Sequence, residues 1–92
     1  MKIIETALQV LNDEIDGINL LKKFFDSNFE DAVKTIFDSN GKVVVSGVGK
    51  SGHVGRKISA TLSSTGTPSF FIHPTEASHG DMGMIEKNDV IL

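Results

Sequence analysis

The 92-residue chain contains no cysteine. Disulfides and thiolate chemistry are therefore excluded, and the composition is compatible with a reducing compartment. An excess of basic charge is missing as well: nine Lys and Arg face twelve Asp and Glu, for a formal net charge of −3. The overall basic balance of a nucleic-acid binder is absent, so no nucleic-acid partner is expected. No run approaches the roughly 18 apolar residues that suggest a membrane span. The opening MKIIETALQV interrupts its apolar residues with Glu5, which argues against a secretory signal, and no membrane partner is expected. Repeats, low-complexity tracts and linkers are also missing.

What is there suits a globular protein. Hydrophobic residues make up 39% and charged residues 23%, a normal balance for a folded domain, and the length allows one small domain at most. Ile4, Leu8, Leu11, Ile15, Ile18, Leu21 and Phe25 recur at steps of three and four, which predicts one helix from residue 3 to about 25. Ile3, Ala7, Leu20 and Phe24 widen its apolar stripe, which suits the core, another subunit or both. Gly17 costs this helix about 1 kcal/mol against alanine without interrupting the stripe. DSNFEDAVKTIFDSNG predicts a second helix, with Asn28 as N-cap, Glu30 and Asp31 in the first turn and Gly41 just past the end.

KVVVS is a short β-branched run, which predicts a strand buried on both faces of a parallel sheet. GHVGRKISATLSS returns to helical spacing through Val54, Ile58 and Leu62, while Gly55, Ser59, Ala60 and Ser63 are small enough for close approach to neighbours. SFFIH predicts the second strand. PTEASHGDMGMIEKND predicts a loop with one helical turn near Glu76 to Ser78, and a third strand opens at Val90. Strand, helix and strand joined by a right-handed crossover give parallel neighbours in a doubly wound α/β sheet. A chain that stops as a core strand begins reads as the first part of a longer domain. These 92 residues alone are expected to be inactive and poorly stable, with one sheet edge uncovered.

GVGKSGHVGRK, directly after KVVV, has the composition of a phosphate loop. A Walker loop needs a glycine five residues before its Gly-Lys-Ser, where this chain has Val44, so ATP is excluded on spacing. Gly47-x-Gly49-x-x-Gly52 matches the dinucleotide fingerprint, but the acidic residue that should end the second strand is missing: the strand ends at Ile72-His73-Pro74. Lys50 and Ser51, a point charge and a hydroxyl at a helix start, suit a small phosphorylated or otherwise anionic ligand. The plainer alternative is a tight turn with a solvated lysine. HPTEASHGD then places His73, Glu76, His79 and Asp81 on the loop after the second strand. Each alone has an ordinary structural reading. Together they leave the same sheet edge as Lys50, and adjacent parallel strands direct such loops into one crevice. Histidine is the natural proton carrier there. His73 and His79 as metal ligands would need further partners.

GKVVVSGVGKSGHVGRKISATLSSTGTPSFFIHPTEASHGDMGMI, residues 41 to 85, closely resembles the sugar isomerase (SIS) domain of bacterial D-arabinose-5-phosphate isomerases. Its GKSGH, STGTPSFF and HPTEASHGD segments are specific to that family among SIS domains. The resemblance implies a three-layer α/β/α sandwich with a parallel, Rossmann-like sheet, present here up to the start of its third strand. Residues 1–40 would be N-terminal helices packing on the domain, and 41–92 its first half. The implied activity is reversible aldose–ketose isomerisation of D-ribulose 5-phosphate and D-arabinose 5-phosphate, which feeds Kdo for lipopolysaccharide or capsule. The implied setting is a cytoplasmic homotetramer with a phosphorylated pentose substrate and no required cofactor. On this resemblance Lys50 and His79 are catalytic positions, and Ser51, Gly66, Thr67, His73 and His79 contact substrate. His73 also matches a zinc position. The Ser-rich phosphate loop, further catalytic groups and the CBS domains of many members would lie beyond Leu92. The alternative is a SIS module that binds a sugar phosphate without converting it.

Overall fold

The computed structural model describes residues 2–92. Helix α1 covers Ile3–Leu20 and runs into a 3-10 turn at Leu21–Phe24; α2 is Ser27–Asp38, β1 Val43–Val45 and α3 Gly49–Ser64. Strand β2 is Ser69–Phe71, α4 Pro74–Ser78, a second 3-10 turn Asp81–Met84 and β3 Val90–Ile91. The chain divides into two compact units, one ending at Val33 and the other running from Lys34 to Leu92.

In the first unit the α-helical repeat of α1 stops at Leu20, five residues before the periodicity predicts. The last turn tightens into 3-10 bonding, a common way to satisfy the carbonyls left over at a helix end. Asp26, not Asn28, then caps α2: its carboxylate Oδ1 accepts the N–H of Asn28 at 3.1 Å and of Phe29 at 3.2 Å. Either residue type can cap, and the choice falls to whichever sits one residue before the first turn. Phe25 and Phe29 bracket this junction edge to face, with centroids 4.7 Å apart. No residue of α1 is buried. Ile4, for example, is 75% exposed.

The second unit is built on a three-stranded parallel sheet in the order β2-β1-β3. Val45 pairs with Phe71 on one side of β1, and Val43 and Val44 pair with Val90 and Ile91 on the other. As the central strand, β1 is the core: Val43, Val44 and Val45 are each 2% exposed or less. Successive strand residues point to opposite faces, so the burial expected on both faces is present. Burying each valine stabilises by about 1.5–3 kcal/mol.

Helix α3 crosses from β1 to β2 and lies on the sheet through its small residues. Gly52, Gly55 and Ser59 are buried, whereas Val54 and Ile58, which share the apolar register, are exposed. Bulk at the contact side would hold the helix off the strands. A Cβ on Gly55 would already stand 3.0 Å from Val45 Cγ1 and 3.3 Å from the Phe71 ring. Hydroxyls complete the seam: Ser59 Oγ and Ser69 Oγ share a 2.8 Å hydrogen bond, Ser69 Oγ donates to the Val43 carbonyl at 2.7 Å, and Ser63 Oγ donates to the Ser69 carbonyl at 2.7 Å.

At the opposite edge Asp89 organises the turn into β3. Its shielded carboxylate accepts the N–H of Glu86 at 2.7 Å and of Lys42 at 2.8 Å, with Lys42 Nζ at 3.5 Å. Gly41 stands against this turn: a Cβ there would overlap the Asn88 carbonyl. Its φ is not positive, and α2 ends at Asp38, so close approach explains this glycine rather than the expected helix stop. The N–H of Glu86, then that of Lys42, hold the Asp89 carboxyl below its ordinary value against the opposing effect of burial. A carboxyl depressed in the folded state contributes stability above its unfolded pKa of about 3.9 and loses it as pH falls through the folded value. Asp89→Asn leaves one acceptor oxygen for two donors. It is expected to lower the thermal midpoint at pH 7 and to flatten the acid loss of stability below about pH 4. Melting curves of wild type and variant that coincide across that range would refute this role.

Candidate functional site

The turn from β1 into α3 is shaped by glycine at two points. Gly49 has φ +60°, a left-handed conformation that side chains resist. Gly52 is pressed on the turn, where a Cβ would come within 2.6 Å of the Gly47 carbonyl oxygen. Ser46, at the end of β1, donates its hydroxyl to the Ile72 carbonyl at 2.6 Å and so ties the turn to the end of β2. Both loops therefore leave the carboxyl edge of the sheet side by side, as their sequence positions predict.

Between them lies a cavity of about 230 Å³, lined by Gly47, Gly49, Gly52, His53, Arg56, Phe71 and His73. Three glycines expose main chain, Phe71 gives an apolar wall, and three nitrogen-bearing side chains supply the polar groups. The Arg56 guanidinium carbon sits 4.2 Å from the centroid of the Phe71 ring. This cation–π contact contributes about 0.5–1 kcal/mol when partly solvated. No carboxylate lines the cavity, so its charge favours an anion.

His73 occupies the N-cap of α4, and its Nδ1 accepts the N–H of Thr75 at 3.1 Å. The loop thus forms a five-residue helix, Pro74–Ser78, longer than the single turn predicted, with proline in the first turn where its missing N–H costs nothing. A neutral imidazole whose Nδ1 accepts carries its proton on Nε2. A metal-bound histidine instead coordinates through one nitrogen and donates a proton from the other, which this Nδ1 cannot do. No group of three His, Cys, Asp or Glu is gathered in a metal-binding arrangement among the described residues. Of the two histidines suggested as metal ligands, His73 alone stands at the cavity, so a zinc held there would need further ligands.

The other expected site residues are placed differently. Lys50 and Ser51 are exposed in the first turn of α3, at the cavity edge of the sheet but outside its lining. Ser51 turns its hydroxyl back to donate to the Val48 carbonyl at 3.1 Å. His79 is exposed just after α4, where its N–H bonds the Glu76 carbonyl at 3.1 Å. Gly66 and Thr67 close the far end of α3: Gly66 has φ +103°, and the Thr67 N–H bonds the Leu62 carbonyl at 2.8 Å. They precede β2, so they stand at the amino edge of the sheet, with the last eight residues of α3, about 12 Å of helical rise, between them and the cavity-lining Arg56. The chain thus brings His73 to the cavity, Lys50 and Ser51 to its rim, and Gly66 and Thr67 to the other edge. Sequence reasoning passes over His53 and Arg56. Their spacing of three places them on one helix face, beside the Gly52, Gly55 and Ser59 stripe that meets the sheet, and that adjacency is readable.

A family profile described as "SIS domain" matches residues 35–92. The chain is 52% identical over 92 residues to the arabinose 5-phosphate isomerase KdsD of Pseudomonas aeruginosa, covering all of this chain and 28% of that protein. It is 51% identical over 90 residues to the arabinose 5-phosphate isomerase GutQ of Escherichia coli K12, covering 98% of this chain and 28% of that protein. Among solved structures, E. coli CFT073 c3406 in complex with arabinose 5-phosphate superposes with a TM-score of 0.88 at 44% identity, covering 97% of this chain and 47% of that one. The chain thus spans between a quarter and a half of the length of the proteins that it matches.

Proposed function

This chain belongs to the SIS domain family, and from that premise we propose that the full-length protein interconverts D-ribulose 5-phosphate and D-arabinose 5-phosphate. The observation that carries this reading is 52% identity along the whole chain to a protein named arabinose 5-phosphate isomerase. The anion-favouring cavity at the carboxyl edge of the sheet supports it. The reaction removes a proton next to a carbonyl, passes through an enediolate and returns the proton to the neighbouring carbon. It needs no redox cofactor. Lys50 stabilises the developing negative charge, and His79 moves a proton or holds a sugar hydroxyl. Ser51 and His73 contact substrate from the two loops. Gly66 and Thr67 complete the substrate contacts, and the protein acts as a homotetramer. The product supplies Kdo for lipopolysaccharide or capsule, in the cytoplasm. No helix among the described residues is long and apolar enough to cross a membrane.

The test is to incubate the full-length protein with each pentose 5-phosphate and follow the appearance of the other by NMR. Conversion in both directions is expected. Saturable binding of arabinose 5-phosphate without conversion would replace this reading with a non-catalytic sugar-phosphate module, and neither binding nor conversion would end both.

A further inference from the structure

We infer that Arg56 is a substrate-binding residue that takes an anionic oxygen group of the sugar phosphate through the edge of its guanidinium. This deepens the proposed isomerase reading and rests on it. Arg56 stands seven residues into α3, beyond the glycine loop that the fingerprint draws attention to. Three observations converge on it. Its guanidinium lies over the face of Phe71, 4.2 Å from the ring centroid. It is among the residues that line the cavity, together with His53 and His73. It has no carboxylate within salt-bridge distance among the described residues.

The consequence follows from the shape of the side chain. A guanidinium has two flat faces and a rim that carries all five N–H donors. Contact with an aromatic ring occupies a face and leaves the rim able to donate. Ring contact also limits the rotamers that the long side chain samples, so less freedom is lost when a ligand binds. An arginine held in this way, bordering a cavity without a carboxylate, is arranged to receive an oxyanion in a two-pronged contact. Phe71 comes from β2 and Arg56 from α3, and Gly55, one residue before Arg56, lets the two elements approach closely. The cavity is smaller than the roughly 300 Å³ at which whole-ligand sites begin. It therefore suits one end of a pentose phosphate rather than the entire molecule.

Two oxyanions of one substrate have this chemistry: the phosphate, charged in the ground state, and the enediolate, charged only during reaction. Arg56→Lys keeps the charge but not the fork, and Arg56→Met keeps the stem against Phe71 without the charge. Both would be compared with wild type in the full-length protein for kcat, KM, thermal midpoint and calorimetric binding of inorganic phosphate. We expect kcat/KM to fall at least tenfold in both variants while the thermal midpoint stays close to that of wild type. A loss in KM with matching weaker phosphate binding assigns the phosphate. A loss in kcat with unchanged phosphate binding assigns the enediolate. If both variants retain kcat/KM within twofold, the inference is overturned while the isomerase reading stands. If a fall in kcat/KM is matched by a fall in thermal midpoint in both variants, Arg56 is structural and the inference is likewise overturned. If wild type converts neither sugar, the isomerase reading fails. Phosphate binding weakened tenfold in both variants would then still support an anion site at Arg56, and unchanged binding would remove it.

Discussion

If the full-length protein is the proposed isomerase, replacing its Lys50 with alanine is expected to lower turnover of either pentose 5-phosphate by about 100-fold or more, the usual cost of losing one group that stabilises charge developing in a transition state. Lys50 sits in the first turn of α3, directly after Gly49, whose positive φ turns the chain into the helix at the carboxyl edge of the sheet. It is exposed and has no ion-pair partner among the described residues, so no structural duty competes for its charge. For the same reason Lys50→Ala should leave the thermal midpoint nearly unchanged. A large loss of rate with intact stability is the signature that separates a reacting cation from a solvated one. Lys50→Arg tests whether charge alone suffices. An arginine spreads its charge over a flat fork and cannot occupy the position of a compact ammonium, so most of the activity should remain lost. Initial rates measured in both directions would decide the matter. A Lys50→Ala rate within threefold of wild type would remove Lys50 from the mechanism.

Gly52→Ala should have the second large effect, and through a different cause. In an ordinary helix interior this change stabilises by about 1 kcal/mol. Here the added methyl would stand 2.6 Å from the Gly47 carbonyl oxygen and 3.1 Å from its carbon. The obstacle is backbone, not the end of a mobile side chain, so either the turn opens or the helix start moves outward. Overpacking of this kind costs about 1–3 kcal/mol, which outweighs the helical gain. Gly47, Gly49 and Gly52 all line the cavity, so the same shift displaces the main chain that forms it. We expect a lower thermal midpoint together with loss of arabinose 5-phosphate binding, measured by calorimetry. A Gly52→Ala protein that is as stable as wild type and binds normally would mean that the turn is not packed as described. Gly17→Ala makes the control: nothing lies within 4 Å of a Cβ at that position, so the ordinary helical gain should appear there.

The two substitutions show where a linear reading of this chain succeeds and where it stops. Glycines 47, 49 and 52 announce a strand-to-helix turn by spacing alone, because the requirement that they meet is local: each acts on residues within five positions. The burial of Val43 to Val45 is legible in the same way, since three β-branched residues in a row leave no polar face to turn outward. The cap of α2 lies two residues before the position that the sequence suggests, because Asp26, Ser27 and Asn28 are all capping types and only the actual first turn selects among them. The sheet-facing side of α3 is legible as a row of small residues at 52, 55 and 59, although the competing Val54 and Ile58 stripe looks equally helical. Arg56 and His53 escape a linear reading because their significance depends on Phe71 and His73, which belong to the next strand and the loop after it.

By itself, the sequence determined the order of helices and strands, the parallel connection of β1 to β2 and the glycine turn between β1 and α3. These follow from periodicity, steric demand and the handedness of the crossover, all of which act over short stretches of chain. Only the tertiary structure decided which polar groups share the cavity. Lys50 reaches its rim, and Arg56 and His53 join its wall. Gly66 and Thr67, close to β2 in sequence, go to the opposite edge because the length of α3 carries them there. The reason is geometric: residues 53, 56, 71 and 73 become neighbours only when α3 folds back on the sheet over a seam of glycine and serine thin enough to let Arg56 lie on Phe71.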